Sequence, residues 1–313
     1  MFNIEIAKAH CDVPCGIYDP ISAQIAALSV IRMVDLMESL EKSDSLEYIN
    51  TISRHVAVKE SEAEKVKHEI RIIWGDFIKP PMVEKYPNIH VKALTAAEIH
   101  FLAEQYNKTY EEIIDMMLLN GVDSMPGGGA EIFDEGVRKR VCGGKVSSQQ
   151  WLDIHKMWHE KGKQSNATML FGHIESRAHR IDHMIRLRDL QDQTGGFNAF
   201  IPLVYQKENN FLKVKDFLTG QEILKTMAIS RIMLDNIPHL KAYWVTSTVK
   251  LALVSQEFGA NDLDGTIEKE SINSAAGAQS ANGMPLQQFV DLIKNSGFTP
   301  VERDSVYNEI KTW

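Results

Sequence analysis

A short string near the start of the chain combines two thiols with an imidazole. Residues 10–20 read His-Cys-Asp-Val-Pro-Cys-Gly-Ile-Tyr-Asp-Pro, so three residues separate Cys11 from Cys15, and His10 precedes the first thiol. Thiolates and an imidazole at this spacing can close on a soft or borderline metal ion. Pro14 stiffens the turn between the thiols. The spacing alone is equally compatible with two cysteines in an ordinary turn.

Two later strings place glycines and a carboxylate directly after apolar runs. They comprise Gly127, Gly128, Gly129 and Glu131 in the first string, and Gly172 and Glu175 in the second. Glycine lets a backbone approach a ligand closely, and the ligand sites of β/α barrels lie where the strands end. The sequence therefore predicts a ligand site at these two loops, with plain loops as the alternative.

Weaker candidates flank two further apolar runs. His239 and Tyr243 lie around one of them, and Asp262 and Asp264 belong to an Asp-x-Asp-Gly string that suits a turn as well as a site. His173, inside the second glycine string, fits a packed or surface histidine equally well.

The segment that follows the thiol string must position it, and its hydrophobic pattern differs from that of the rest of the chain. Residues 20–78 carry apolar side chains at spacings of three and four, which predicts amphipathic helices. Breaks near 43–44 and 59–61 divide this segment into three helices, and Pro80 and Pro81 would stop the third. Three such helices predict part of a helical bundle.

From about residue 88 the style changes, and short apolar runs alternate with helical patterns. The runs lie at residues 89–94, 121–125, 166–171, 199–205, 240–245 and 262–267. The helices between them lie at 95–106, 110–119, 148–161, 178–191 and 220–236. Alternation of this kind predicts a parallel sheet. The fold class expected is thus multi-domain, α followed by α/β, with an incomplete barrel of about six strand–helix units where a closed barrel needs eight.

Composition restricts the partners and the compartment. A net charge of −8 argues against nucleic acid as the main partner, and no run approaches the roughly 20 apolar residues that span a membrane. The three cysteines suit a reducing cytoplasm. Residues 1–9 lack the apolar core of about 7–15 residues that a secretory signal has, so we expect a cytoplasmic protein.

The string at residues 10–20 resembles the metal hook of nickel superoxide dismutase, whose pattern is His-Cys-x-x-Pro-Cys-Gly-x-Tyr-Asp-Pro. The resemblance continues to about residue 87 through Trp74, Asp76 and the words Lys-Pro-Pro and Glu-Lys-Tyr-Pro between 79 and 87. It implies a nickel enzyme that converts superoxide into oxygen and hydrogen peroxide and that acts as a homo-oligomer.

The same resemblance implies a role for each residue of the hook. Nickel would be held by the thiolates of Cys11 and Cys15, the backbone nitrogen of Cys11, and the amine and imidazole of His10. Tyr18 would restrict access to small anions, and Asp12 would support the hook. Because the amine of His10 must be free, residues 1–9 would be a leader that a protease removes.

The sequence departs from this family at three positions. The family pairs a glutamate on the first helix with an arginine on a later one, whereas Ala26 and Glu62 stand here. Phe77 replaces a second tyrosine of the pocket. Since the chain changes style after residue 87, only three of the family's four helices are expected.

Residues from about 88 onward resemble aminofutalosine synthase, a radical S-adenosylmethionine enzyme of the futalosine route to menaquinone. The resemblance rests on the words PGGGAE, SNATMLFGHIES, RIDHMIRLRDLQDQTGGFNAFIPL, DNIPHLKAYW and DLDGTIEKESI. It implies that the turn containing Gly172 and Glu175 lies near the adenine of the cofactor. S-adenosylmethionine is therefore a candidate ligand of the two glycine loops.

The cluster motif of that family is missing. Radical S-adenosylmethionine enzymes hold a [4Fe–4S] cluster with Cys-x3-Cys-x2-Cys, whereas Cys142 is the one cysteine after the hook, and Tyr18 stands at the third position within the hook. A [4Fe–4S] cluster is therefore not expected.

The two resemblances predict a chimeric chain with a leader at 1–9, a dismutase-like helical domain at 10–87 and a synthase-like partial barrel at 88–313. No linker rich in glycine, proline or serine separates them. The favoured function is nickel superoxide dismutase beside a cluster-less remnant. The alternatives are an aminofutalosine synthase-type transferase and an inactive chimera.

Overall fold

The computed structural model describes residues 21–77, 89–206, 208, 212–214, 218–265 and 284–313. Its contacts divide the chain between Ile89 and His90 into a first and a second unit. The predicted metal hook at residues 10–18 lies outside the described residues, as do Pro80 and Pro81.

The first unit consists, where it is described, of helices α1 (Ile21–Glu38) and α2 (Leu46–Phe77), which pack against each other. The predicted break near 43–44 is confirmed, because the segment between the helices is not helical. The predicted break at 59–61 is wrong, because α2 runs through it. No proline or glycine interrupts that stretch, and Glu and Lys are good helix formers. The described part of this unit therefore has two helices rather than three.

The second unit is built on a parallel sheet. Its strands are β1 (Ser124–Met125), β2 (Gln164–Phe171), β3 (Phe197–Val204) and β4 (His239–Leu240), hydrogen-bonded in that order. Single parallel bridges continue the sheet on both sides, from Lys92 to Ser124 and from Lys241 to Asp262. The predicted mixed α/β class is therefore confirmed. Each of the six predicted strand runs contributes at least one residue to this parallel sheet.

The helices of this unit that precede β4 each begin after a side chain that caps their first turn. Helices α3 (Ala96–Tyr106) and α4 (Tyr110–Leu119) each start after a threonine that forms a capping box with a glutamate three residues later. Helix α5 (Glu135–Val141) follows β1, and α6 (Ser148–Glu160) starts after Ser147. The remaining long helices after β2 and β3 are α7 (Arg177–Thr194) and α8 (Gly220–Met233).

The chain after β4 differs most from the prediction. A strand was predicted over 240–245, but β4 ends at Leu240, Lys241 forms only the single bridge to Asp262, and α9 (Trp244–Ser247) and α10 (Val249–Ser255) follow. Helix α11 (Leu286–Asn295) and an antiparallel hairpin of β5 (Val301–Arg303) and β6 (Glu309–Thr312) were not predicted. Both strands of that hairpin are short, so they carry almost no periodic signal.

The core of the second unit lies between the sheet and its helices. Its largest fully buried side chains include Trp151, Trp158, Trp244, Phe133 and Phe171. No helix in the described parts of the chain is long and apolar enough to cross a membrane.

Candidate functional site

The glycine loop after β1 packs against the protein itself. A Cβ on Gly127 would lie 2.6 Å from the carbonyl oxygen of Asn166 on β2, and one on Gly128 would lie 2.8 Å from Cγ2 of Thr95. The hydroxyl of Thr168 donates to the carbonyl of Gly127 over 2.6 Å. These contacts explain why the loop needs glycines without any ligand nearby.

A buried arginine that sequence reasoning missed closes the same loop. The guanidinium of Arg138, on α5, donates to the carbonyls of Gly129 (3.0 Å), Ile132 (3.1 Å), Ala130 and Val146. Only 3% of this residue is exposed. Its signal in the sequence is weak, because Arg138 lies in the charged run Arg-Lys-Arg.

Glu131 takes part in the loop mainly through its backbone. Its carbonyl accepts from the amide of Leu170 over 2.7 Å, which joins the loop to the end of β2. Its carboxylate pairs with Lys145 at 3.0 Å. The structure thus brings the two predicted glycine loops side by side at the ends of β1 and β2.

The turn after β2 is held by the carboxylate of Glu175. This group accepts from the backbone amides of Gly172 (2.7 Å) and His173 (2.8 Å) and pairs with Arg180 at 2.7 Å. The side chain of Glu175 is fully buried. Burial also lowers the pKa of His173, although Glu175 beside it opposes the change. The carboxylate therefore has its partners within the protein.

A cluster of charged residues lies at the edge of the sheet where Lys241 bridges to Asp262. Lys241 pairs with Asp264 and lies 3.9 Å from Asp262, whose other oxygen accepts from Arg303 over 2.5 Å. Burial disfavours the charged form of Lys241, but Asp264 and Asp262 outweigh it and raise its pKa. The candidates Asp262 and Asp264 are therefore brought together, with partners that the sequence reading had not selected.

A polar chain crosses the sheet toward this cluster. Lys92 donates to the amide oxygen of Asn166 over 2.8 Å, and Asn166 donates to that of Asn198 over 2.6 Å. The pKa of Lys92 is lowered by partial burial and by the positive charges of Lys241 and Arg303. The sequence signal that could have revealed this polar chain is a lysine inside each of two short apolar strand runs, Lys92 and Lys241.

His239 and Tyr243 do not share one arrangement. The ring of His239 stacks on that of Tyr307 with 3.8 Å between centroids, whereas Tyr243 caps the start of α9. Tyr307 was not among the site residues predicted from the sequence.

Metal ligation finds no support in the described ranges. They contain no group of three or more His, Cys, Asp or Glu side chains close enough to hold a metal. Cys142, the cysteine they contain, is a free thiol whose pKa is raised by burial. Of the positions tied to the hook, Ala26 is fully buried in α1, and Glu62 is half-buried in α2.

Comparison with known proteins gives a different match for each part of the chain. Residues 5–119 match the family model of nickel-containing superoxide dismutase. Residues 194–313 match the model of the CofH/MqnC C-terminal region. The first match extends past the boundary at Ile89, although α3 and α4 belong to the second unit by their contacts.

Curated relatives resemble the second unit. The aminodeoxyfutalosine synthase of Thermus thermophilus is 46% identical over 234 residues, which cover 74% of this chain and 63% of the relative. That of Streptomyces coelicolor is 40% identical over 240 residues, covering 72% and 62%. The cyclic dehypoxanthine futalosine synthase of Streptomyces coelicolor is 37% identical over 227 residues, covering 72% and 56%.

The chain spans about three fifths of the length of these relatives. It therefore joins a segment that resembles nickel superoxide dismutase to one that resembles part of aminodeoxyfutalosine synthase.

Proposed function

We propose that the first unit is a nickel-dependent superoxide dismutase, which converts superoxide into oxygen and hydrogen peroxide. The observation that carries the proposal is the complete donor set in the string at residues 10–15. The family match over residues 5–119 supports it. Two thiolates with nitrogen donors suit a tetragonal Ni(II) site.

Each residue of the hook has a defined task in this proposal. Cys11 and Cys15 supply thiolates, and His10 supplies its amine and imidazole. Nickel, when bound, would supply an electron to one superoxide and take one from another. Tyr18 would admit small anions only, and Asp12 would hold the hook in shape.

The need for a free amine at His10 gives the experiment. Protein that begins at His10 is compared with the full-length chain after nickel loading. We expect the trimmed form to show a rhombic Ni(III) electron paramagnetic resonance signal and to dismutate superoxide, because an amide nitrogen at His10 binds far less readily. Equal nickel binding by both forms would contradict the role of the amine.

The second candidate function is an aminodeoxyfutalosine synthase-type transferase in the second unit. The identity of 46% with the relative from Thermus thermophilus favours it. S-adenosylmethionine would then contact the adjoining loops at Gly127–Glu131 and Gly172–Glu175. A [4Fe–4S] cluster does not fit the residues present, because clusters are held by several thiolates and this unit has the half-buried thiol of Cys142 alone.

Anaerobic reconstitution with iron and sulfide tests this second candidate. We expect no stoichiometric cluster and no 5′-deoxyadenosine, and formation of both would establish that this unit can cleave S-adenosylmethionine. Titration with S-adenosylmethionine, compared between the parent and Glu175→Ala, tests binding alone. If the trimmed protein shows no Ni(III) signal and reconstitution yields no cluster, the third alternative, an inactive chimera, remains.

Further expectations accompany the proposal. We infer a leader at 1–9 that a protease removes, domains at 10–87 and 88–313, a homo-oligomer and a cytoplasmic location. The intact mass of the purified protein tests removal of the leader, and light scattering tests the homo-oligomer.

A further inference from the structure

A cavity of about 610 Å³ lies in the second unit, away from the glycine loops. It is bounded by residues 261–265 at the last strand position, by helix α11 and by the hairpin β5–β6. The α11 wall is apolar, with Leu286, Phe289 and Ile293 facing the space. This volume and an apolar wall are typical of small-molecule sites.

Charged residues of both signs surround the cavity. Asp262, Asp264, Glu302 and Glu309 line it together with Arg303, and Lys241 and Lys311 lie beside the lining residues Asp264 and Trp313. Asp262 and Asp264 already have Arg303 and Lys241 as partners. Glu302 and Glu309 have no cation within 4.0 Å among the residues described. The unpaired carboxylates of Glu302 and Glu309 would attract a cation.

Aromatic rings form another part of the wall. Tyr307 and Trp313 both line the cavity. The ammonium of Lys311 lies 3.2 Å from the centroid of the Trp313 ring, so that ring already attracts a cation on one face. The buried hydroxyl of Tyr307 has no hydrogen-bond partner in the described part of the chain.

We propose that this cavity binds a small organic cation, an amine carried on an apolar body about the size of one ring. The apolar wall of α11 would contact the body, and Glu302 and Glu309 would face the ammonium. A carboxylate of the same size would be repelled by the surrounding carboxylates. The proposal depends on neither of the activities proposed above.

Three ligands with one ring and different charges test it. Benzylamine, benzyl alcohol and benzoate are titrated into the full chain, and the indole N–H signal of Trp313 is followed by nuclear magnetic resonance. Trp313→Phe identifies that signal. We expect benzylamine to bind with a Kd on the order of millimolar, as befits so small a ligand, benzyl alcohol several-fold more weakly, and benzoate not at all.

Isosteric variants locate the charge. Glu302→Gln and Glu309→Gln should each weaken benzylamine binding about two- to fivefold, the usual range for an exposed ion pair, and 1 M salt should weaken it in the parent. Glu160→Gln, which removes an exposed carboxylate outside the cavity, should change nothing. Unchanged indole signals in the free variants show that they fold.

Two results would overturn the proposal. Equal binding of benzyl alcohol and benzylamine would show an apolar cavity without charge selection. Absence of any shift of the Trp313 signal with benzylamine would show that the cavity takes no such ligand.

Discussion

The hydroxyl oxygen of Ser165 lies 2.7 Å from Nδ1 of His155 at the start of β2. The same hydroxyl lies 2.8 Å from Nε2 of His159, and Nδ1 of His159 reaches the hydroxyl of Thr194 at 2.8 Å. One hydroxyl thus joins two buried imidazoles, and Nε2 of His155 has no partner within the described residues. Burial lowers the pKa of His159 to about 4 and that of His155 well below 6.5.

These imidazoles predict a loss of stability in mild acid. Their folded pKa values lie below the unfolded value of 6.5, so the unfolded chain binds more protons as the pH falls. The stabilisation is complete above pH 6.5 and declines as the pH falls from there toward 4. For His159 alone the loss amounts to about 3 kcal/mol, at about 1.4 kcal/mol per pKa unit. Urea unfolding followed by near-ultraviolet circular dichroism between pH 7.5 and 4 measures it.

His159→Asn is the matched variant for this prediction. Asparagine retains hydrogen-bonding groups but does not titrate, so the variant should lose less stability between pH 6.5 and 4 than the parent. Identical pH slopes in the two proteins would show that His159 is not responsible.

Gly196→Ala should destabilise the second unit. A Cβ at Gly196 would lie 2.1 Å from Cγ of His159, so the buried ring must move. We expect a cost of about 1–3 kcal/mol, as for other overpacked cores, and a weaker acid dependence, because the displaced ring gains water. Gly162→Ala is the control, since it has a positive φ but no neighbour within 4 Å. A smaller cost for Gly196→Ala than for Gly162→Ala would contradict the clash.

Arg138→Met should loosen the glycine loop after β1. It removes the donor to four backbone carbonyls in a buried place, and unpaired buried carbonyls each cost about 1–3 kcal/mol. Thermal unfolding and amide exchange of residues 127–132 measure the effect. Arg140→Met, at an exposed position of the same helix, should be nearly neutral. Equal exchange rates in both variants would mean that Arg138 does not hold the loop.

Cys11→Ser and Cys15→Ser should each abolish nickel redox activity in protein that begins at His10. Thiolates donate electron density that brings Ni(III) within reach, and a serine hydroxyl donates much less. Cys142→Ser should keep the activity, because this thiol is a half-buried side chain in the second unit. Electron paramagnetic resonance and a superoxide assay measure both effects, and loss through Cys142→Ser alone would overturn the ligand assignment.

Local periodicity in the sequence predicted the longer helices α3, α4, α6, α7 and α8, whereas α5, α9, α10 and α11 were not predicted. The structure shows capping boxes at the starts of α3, α4 and α6, which are short-range features. The division of α2 at 59–61 was wrong because a dense charge run was taken for a boundary, although charged residues continue a helix readily.

Features that depend on distant partners were harder to predict. The run at 240–245 is apolar enough for a strand, yet Leu240 is the last residue of β4, and Trp244 and Val245 are buried in α9. Asp262 looked like a turn residue because its partner Arg303 lies 41 positions away in an unpredicted hairpin. The carboxylate of Glu175 accepts from backbone amides two and three positions earlier, a local contact that was not predicted, and its contact with a cofactor stays a prediction.

The contact between Asp262 and Arg303 also sets an order of events during synthesis. Domains fold as the chain leaves the ribosome, which adds about 5–20 residues per second. The carboxylate of Asp262 therefore emerges a few seconds before the guanidinium that neutralises it. During that interval Lys241, 3.9 Å from Asp262 in the folded protein, is the counterion already synthesised. Strands β1 to β4 therefore leave the ribosome before the second partner of Asp262 does, and the hairpin completes the second unit last.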